Sequence, residues 1–142
     1  PALRFAVAHT MLPRHQVGPM QQGMGWEMYP SPWSLQALVE GNGPRAVFDA
    51  LAVQAISPRA VDARDKDTAL SESLTTRAVR SLPPPTRSML LNKTGSTFGF
   101  AGYVALIPQR QVALVMLANR NFPAIDRVAA AHQVMNALGA LG

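Results

Sequence analysis

The sequence predicts an α+β fold in which antiparallel strands form a sheet covered by a C-terminal helix. Three observations carry that expectation. Apolar runs at 89–92, 100–107 and 112–118 are separated by short turn-forming stretches, the pattern of consecutive strands joined by tight connections. Beyond Pro123 the apolar residues change from continuous runs to helical spacing. The chain is 48% hydrophobic and only 15% charged over 142 residues, enough apolar surface for one core of ordinary size and too much for disorder. A single folding unit spanning 1–142 is expected.

Leu3, Ala6, Val7 and Thr10 lie at helical spacing and suggest the end of a helix that stops by Pro13. Residues 21–29 read as a strand with bends at Gly23 and Gly25. After the Pro30-Ser31-Pro32 turn, Trp33 to Val39 suits a short helix closed by Gly41-Asn42-Gly43. The stretch 57–86 is the least patterned, with Pro58, a charged run at 62–67 and Pro83-Pro84-Pro85. It reads as a long surface loop with a helical piece near Leu70 to Val79, and long loops in compact units are commonly functional. Met89 to Asn92 starts a strand, Phe100 to Ile107 forms the next, and Pro108 to Gln111 turns into a third at Val112 to Ala118. Their near-continuous apolarity suits strands buried on both faces. Asn121 and Pro123 open the last helix, with Ile125, Val128, His132, Met135 and Leu138 on one face and an end near Gly139.

Charge narrows the range of partners. The thirteen basic residues include only two lysines, Lys66 and Lys93, and give a net charge of +5. They are scattered, without basic runs or interleaved aromatics, so no nucleic-acid partner is expected. The longest apolar stretch, 112–118, falls far short of the roughly 20 residues a membrane-spanning helix needs, so no membrane span is expected. With no cysteine there is no disulfide framework. Asp62, Asp65 and Asp67 alternate like the start of a calcium loop, but no glycine or distal glutamate completes it. His9, His15 and His132 lack ligand spacing, so neither a metal nor a cofactor is expected. Met24, Met28, Met116 and Met135 read as core filler, and Trp26 and Trp33 as packing anchors. The chain opens inside an amphipathic stretch without a starting Met or a secretory signal, which suggests a piece of something larger.

The segment that carries chemistry is Lys93-Thr94-Gly95-Ser96-Thr97, between two apolar strands. A lysine there sets an ammonium beside a strand edge, and the glycine and hydroxyls next to it allow close approach of a substrate. Edge N–H groups can donate to an oxyanion as it develops, commonly the strongest single contribution to acyl-transfer catalysis. Taken alone, the tripeptide is more often a strand end with ordinary hydroxyl capping than a catalytic motif.

Its surroundings are more specific. Lys-Thr-Gly is a motif of serine β-lactamases and penicillin-binding proteins. Here it lies in Leu-Leu-Asn-Lys-Thr-Gly-Ser-Thr-Phe-Gly-Phe-Ala-Gly-Tyr-Val-Ala-Leu-Ile-Pro and is followed by Leu-Ala-Asn-Arg-Asn-Phe-Pro. Upstream stands Gln22-Gly23-Met24-Gly25-Trp26-Glu27. Both blocks, in this order, resemble the C-terminal portion of class C β-lactamases. The resemblance implies the α/β part of the β-lactamase/penicillin-binding-protein-like fold, in a periplasmic enzyme that hydrolyses β-lactams such as cephalosporins and penicillins through a serine acyl-enzyme. It further implies that Lys93 supplies positive charge near the nucleophile and that Ser96 gives a backbone N–H to the oxyanion hole. Thr94, Gly95 and Thr97 would contact the substrate, and Asn121 and Arg127 would line its carboxylate end.

The family's Ser-x-x-Lys is absent, since Ala63 and Leu90 stand three residues before Lys66 and Lys93, and Tyr-x-Asn is absent too. Tyr29-Pro30-Ser31 has the shape of a variant, but its position makes it a turn. The nucleophile is therefore expected in an N-terminal remainder, and this chain alone is expected to be inactive. Phe98 replaces a usual glycine and adds bulk beside the cleft; Ala124 replaces a common asparagine and removes one carboxylate contact. A serine esterase or D-Ala-D-Ala peptidase of the same fold, and a non-catalytic fragment, are the alternatives.

Overall fold

The computed structural model describes residues 2–48, 54–55 and 87–142. The expected 57–86 loop, its helical piece and the aspartate run lie outside the described residues. The core of the fold is a sheet whose longest ladder joins β5 (Met89–Ser96), β6 (Ala101–Ile107) and β7 (Val112–Ala118). Short strands β1 (His15–Val17), β2 (Met20–Gln22), β3 (Glu27–Pro30) and β4 (Gln54–Ala55) complete it in the order β4-β1-β2-β3-β5-β6-β7, every pairing antiparallel. Among the described residues four α-helices accompany it: α1 (Ala2–Thr10), α2 (Leu35–Gly41), α3 (Pro44–Phe48) and α4 (Ala124–Ala137). The α+β arrangement read from the sequence is the one observed.

Four sequence expectations need correction. The stretch 21–29 is no single bent strand. It is the β2–β3 hairpin, with Gln22 opposite Glu27 and Gly25 at φ 86 in the reversal, where a side chain would be strained. Of the long strands, β5 is buried on both faces at Leu90, Leu91 and Asn92, but β6 and β7 are not. Burial alternates along β6 and β7, leaving Val115 at 63% and Leu117 at 85% exposure. Helix α4 covers only one face, so the other row of β6 is half-buried and that of β7 stays open among the described residues. The inner face of α4 is Arg127, Val128, Ala131 and Met135, whereas Ile125 and Leu138 are exposed and His132 is half-buried. Ala131 at the centre lets the helix approach the sheet closely. Likewise Met24 is exposed while Met28 and Met135 are core.

The buried core runs from Val17, Met20, Tyr29, Trp33 and Leu38 through Leu90, Tyr103, Ala105 and Ile107 to the α4 face. Ser34 caps α2, its hydroxyl accepting from the Ala37 amide at 3.1 Å, the usual way a helix start is satisfied. Trp33 is buried and donates from Nε1 to the Tyr29 carbonyl at 3.0 Å, with the Arg110 guanidinium over its ring. The structure thus places the C-terminal end of β5, the end of α2 and the start of α4 around one hollow.

Candidate active site

Strand β5 outruns its neighbour. β3 pairs with it only from Met89 to Asn92, while β6 pairs with it from Leu91 to Ser96. Residues 93–96 therefore have a strand on one side and no strand among the described residues on the other. The Thr97 amide donates to the Phe100 carbonyl across the hairpin at 2.9 Å. Antiparallel ladders alternate N–H direction from residue to residue, so the Ser96 amide points away from β6, toward the unpaired edge. It is the kind of unshared donor an oxyanion needs.

That edge borders an open cleft of about 470 Å³ lined by Asn42, Pro44, Lys93, Thr94, Gly95, Ser96, Pro123, Ala124, Ile125 and Arg127. The structure brings together five of the residues singled out from sequence: Lys93, Thr94, Gly95, Ser96 and Arg127. Thr97, in the hairpin turn, and Asn121, before α4, are both exposed and do not line the cleft. A Cβ added to Gly95 would meet nothing within 4 Å, so packing among the described residues does not demand glycine there. A second hollow, of about 320 Å³, lies by Tyr29, Trp33 and Arg87, away from these residues.

The lysine is held from below. Lys93 Nζ lies 2.7 Å from Glu27 Oε1, in a pair whose lysine side chain is 49% and glutamate side chain 8% exposed. Glu27 Oε2 accepts from Asn92 Nδ2 at 3.0 Å, and the same nitrogen donates to Asn42 Oδ1 at 3.0 Å. Asn42 Nδ2 in turn donates to the Tyr29 hydroxyl at 3.0 Å and to the Leu38 carbonyl at 2.9 Å. Asn92 is fully buried, and its Oδ1 has no partner among the described residues. Burial, and then the Glu27 carboxylate, push the ionisation of both Tyr29 and Tyr103 well above the ordinary phenol value.

Arg127 braces the same strand from the α4 side. Its NH1 donates to the Gly95 and Gly102 carbonyls at 2.6 and 2.7 Å, and NH2 donates to Ser96 Oγ at 2.9 Å. The guanidinium is thus largely engaged in tying β5 to β6. Sequence reasoning missed Glu27, Asn92 and Asn42. The signal was present as isolated polar residues at apolar or glycine-flanked positions, such as Leu90-Leu91-Asn92 and Gly41-Asn42-Gly43. Their partnership, however, depends on the strand register that sets Glu27 opposite Asn92.

Among the described residues, no three His, Asp or Glu side chains converge as a metal site would require, and no helix is long and apolar enough to cross a membrane.

The chain is 38% identical over 136 residues to a β-lactamase of Pseudomonas fluorescens, covering 96% of this chain and 32% of that protein. Its fold matches the class C β-lactamase of Rhodobacter sphaeroides with a TM-score of 0.73 at 33% identity, over 97% of this chain and 32% of the other. Over nearly its whole length the chain is similar to class C β-lactamases. Another match, the D-alanine carboxypeptidase AmpC of Burkholderia cenocepacia, has a TM-score of 0.73 at 35% identity over 96% of this chain and 33% of the other. No protein-family model matches the chain. The chain spans about a third of the length of the curated relatives it matches.

Proposed function

We propose that this chain is the C-terminal part of a periplasmic class C β-lactamase, a single unit that forms one wall of a site completed by an N-terminal remainder carrying Ser-x-x-Lys. The substrate is a β-lactam, cephalosporins foremost, and turnover of this kind confers antibiotic resistance. The serine hydroxyl attacks the lactam carbonyl, the ring C–N bond breaks with its nitrogen protonated, and water later hydrolyses the acyl-enzyme.

The observation that carries the reading is the run of β5 beyond β3, with Lys93 and the Ser96 amide on one cleft. In this reading Lys93 supplies the positive charge beside the nucleophile, and the Ser96 N–H takes half of the oxyanion. Thr94 meets the substrate or its carboxylate and Gly95 keeps room for the acyl group, whereas Thr97 and Asn121, outside the cleft, are left without a contact role. Arg127, largely engaged with carbonyls, acts on the carboxylate end mainly by shaping it. An unneeded glycine beside the lysine supports this, since the space it leaves is filled by nothing among the described residues.

The test joins the chain to its N-terminal remainder and follows a chromogenic cephalosporin. Lys93→Ala should reduce kcat/KM by about 100-fold or more, in the range typical for removing a preorganised electrostatic group; wild-type turnover in that variant would end the proposal. A D-Ala-D-Ala peptidase reading is favoured by the carboxypeptidase among the similar structures. Release of D-alanine from a peptide, without cephalosporin turnover, would select it.

A further inference from the structure

Glu27 is the one acidic side chain buried among the described residues, and the chemistry proposed above gives it no task. We propose that Glu27 is a positioning residue for Lys93, with Asn92 and Asn42 as the links that anchor it to the end of α2. The inference rests on reading Lys93 as the cation of the site.

A buried carboxylate is costly unless its oxygens are occupied, and both oxygens of Glu27 are: Oε2 by Asn92 and Oε1 by Lys93. Each of the two amides uses both of its N–H bonds. Asn92 donates to Glu27 and Asn42, and Asn42 donates to Tyr29 and Leu38. Neither amide can turn without losing two bonds, so the carboxylate is fixed by helix and sheet together. The lysine is the opposite case. Its side chain is half-exposed, with a flexible stem that samples many rotamers when nothing holds its end. The rigid partner therefore sets where the mobile one stands. A reacting group displaced by about 1 Å costs up to about 100-fold in rate, which is the scale on which such an anchor acts. If Glu27 only strengthened the β3–β5 pairing, its loss would matter equally whatever residue stood at 93.

Two measurements separate these roles. In the protein joined to its nucleophile-bearing remainder, kcat/KM for a chromogenic cephalosporin is compared among wild type, Glu27→Gln, Lys93→Ala and the double variant. Glu27→Gln should cost about 10- to 100-fold when Lys93 is present and less than about twofold on top of Lys93→Ala, the non-additivity expected of residues acting as one unit. Equal losses in both backgrounds overturn the proposal. In the 142-residue chain, with lysines only at 66 and 93, the ¹⁵N ammonium resonance assigned to Lys93 should be sharp in wild type and lost to solvent exchange in Glu27→Gln. An unchanged resonance also overturns it. If Glu27→Gln does not fold, Asn42→Ala loosens the same chain two links away and is judged by the same comparison. Should Lys93→Ala turn over normally, the proposed function fails instead, and the resonance still decides whether Glu27 anchors the lysine.

Discussion

Replacing Arg127 with alanine removes the brace beneath the Ser96 amide, and its cost can be worked from the bonds lost. Arg127 is 5% exposed, and its guanidinium makes bonds of 2.6, 2.7 and 2.9 Å to Gly95 O, Gly102 O and Ser96 Oγ. A charge-assisted hydrogen bond contributes about 1.5–3 kcal/mol net. The two carbonyls also take part in the β5–β6 ladder, so about 1 kcal/mol per bond is the fairer figure. The sum is about 3 kcal/mol, with little returned by the alanine. For a chain of this length each kcal/mol moves Tm by about 3–4 °C, so thermal unfolding followed by circular dichroism should occur about 10 °C lower. Arg127→Lys should recover less than half of that loss, because one ammonium cannot span two carbonyls and a hydroxyl at once. Hydrogen exchange should quicken most at the Gly95 and Gly102 amides, which pair across β5 and β6. A Tm within about 3 °C of wild type would show that the brace is worth less than about 1 kcal/mol and would refute the reasoning.

Two further predictions concern the polar floor of the cleft. Tyr29 and Tyr103 are the only two tyrosines, and burial first, then Glu27, raises both ionisations above the ordinary phenol value of 10.0. The folded state favours the neutral phenols, so their contribution to stability is complete below about pH 10 and is lost as pH rises beyond it. Tyrosinate absorbance should therefore appear together with loss of the circular dichroism signal, and an ordinary titration near pH 10 with the fold intact would contradict it. Gly41→Ala would place a Cβ 2.8 Å from Tyr29 Cε1 and 2.9 Å from Met20 Cβ, besides crowding the Tyr29 hydroxyl. Overpacking of this kind costs about 1–3 kcal/mol, read as a lower denaturation midpoint in urea; an unchanged midpoint would mean that the floor yields freely.

The legible parts of the fold are those whose signal is local. Strand β7 matches its apolar run at Val112–Ala118, and β6 begins one residue later than its run, because Pro108 and Gln111 mark the turn between them. Strands β1 and β4 left no comparable trace. His15 and Gln16 are exposed polar residues, and β4 is only Gln54–Ala55, so both are defined by their partner strand and not by their own pattern. The β2–β3 hairpin was hidden because a glycine pair marks a bend and a reversal equally well; the positive φ of Gly25 distinguishes them. In the candidate site, Lys93 to Ser96 form a contiguous motif that a reader can find. Glu27, Asn92 and Asn42 lie far apart in the chain and meet only through pairing and a helix end, information that no local pattern holds.

The exposed row of β7 has a colloidal consequence for the 142-residue chain in isolation. Val115 and Leu117 stand open on a strand that is last in the sheet order, so two copies can stack their greasy faces or extend each other's ladder. What opposes this is mutual repulsion from a net charge of +5, whose reach shrinks from about 30 Å at 0.01 M salt to about 3 Å at 1 M. The isolated chain should therefore stay dispersed in dilute buffer and coalesce as salt is added, the reverse of a protein whose copies are joined by ion pairs.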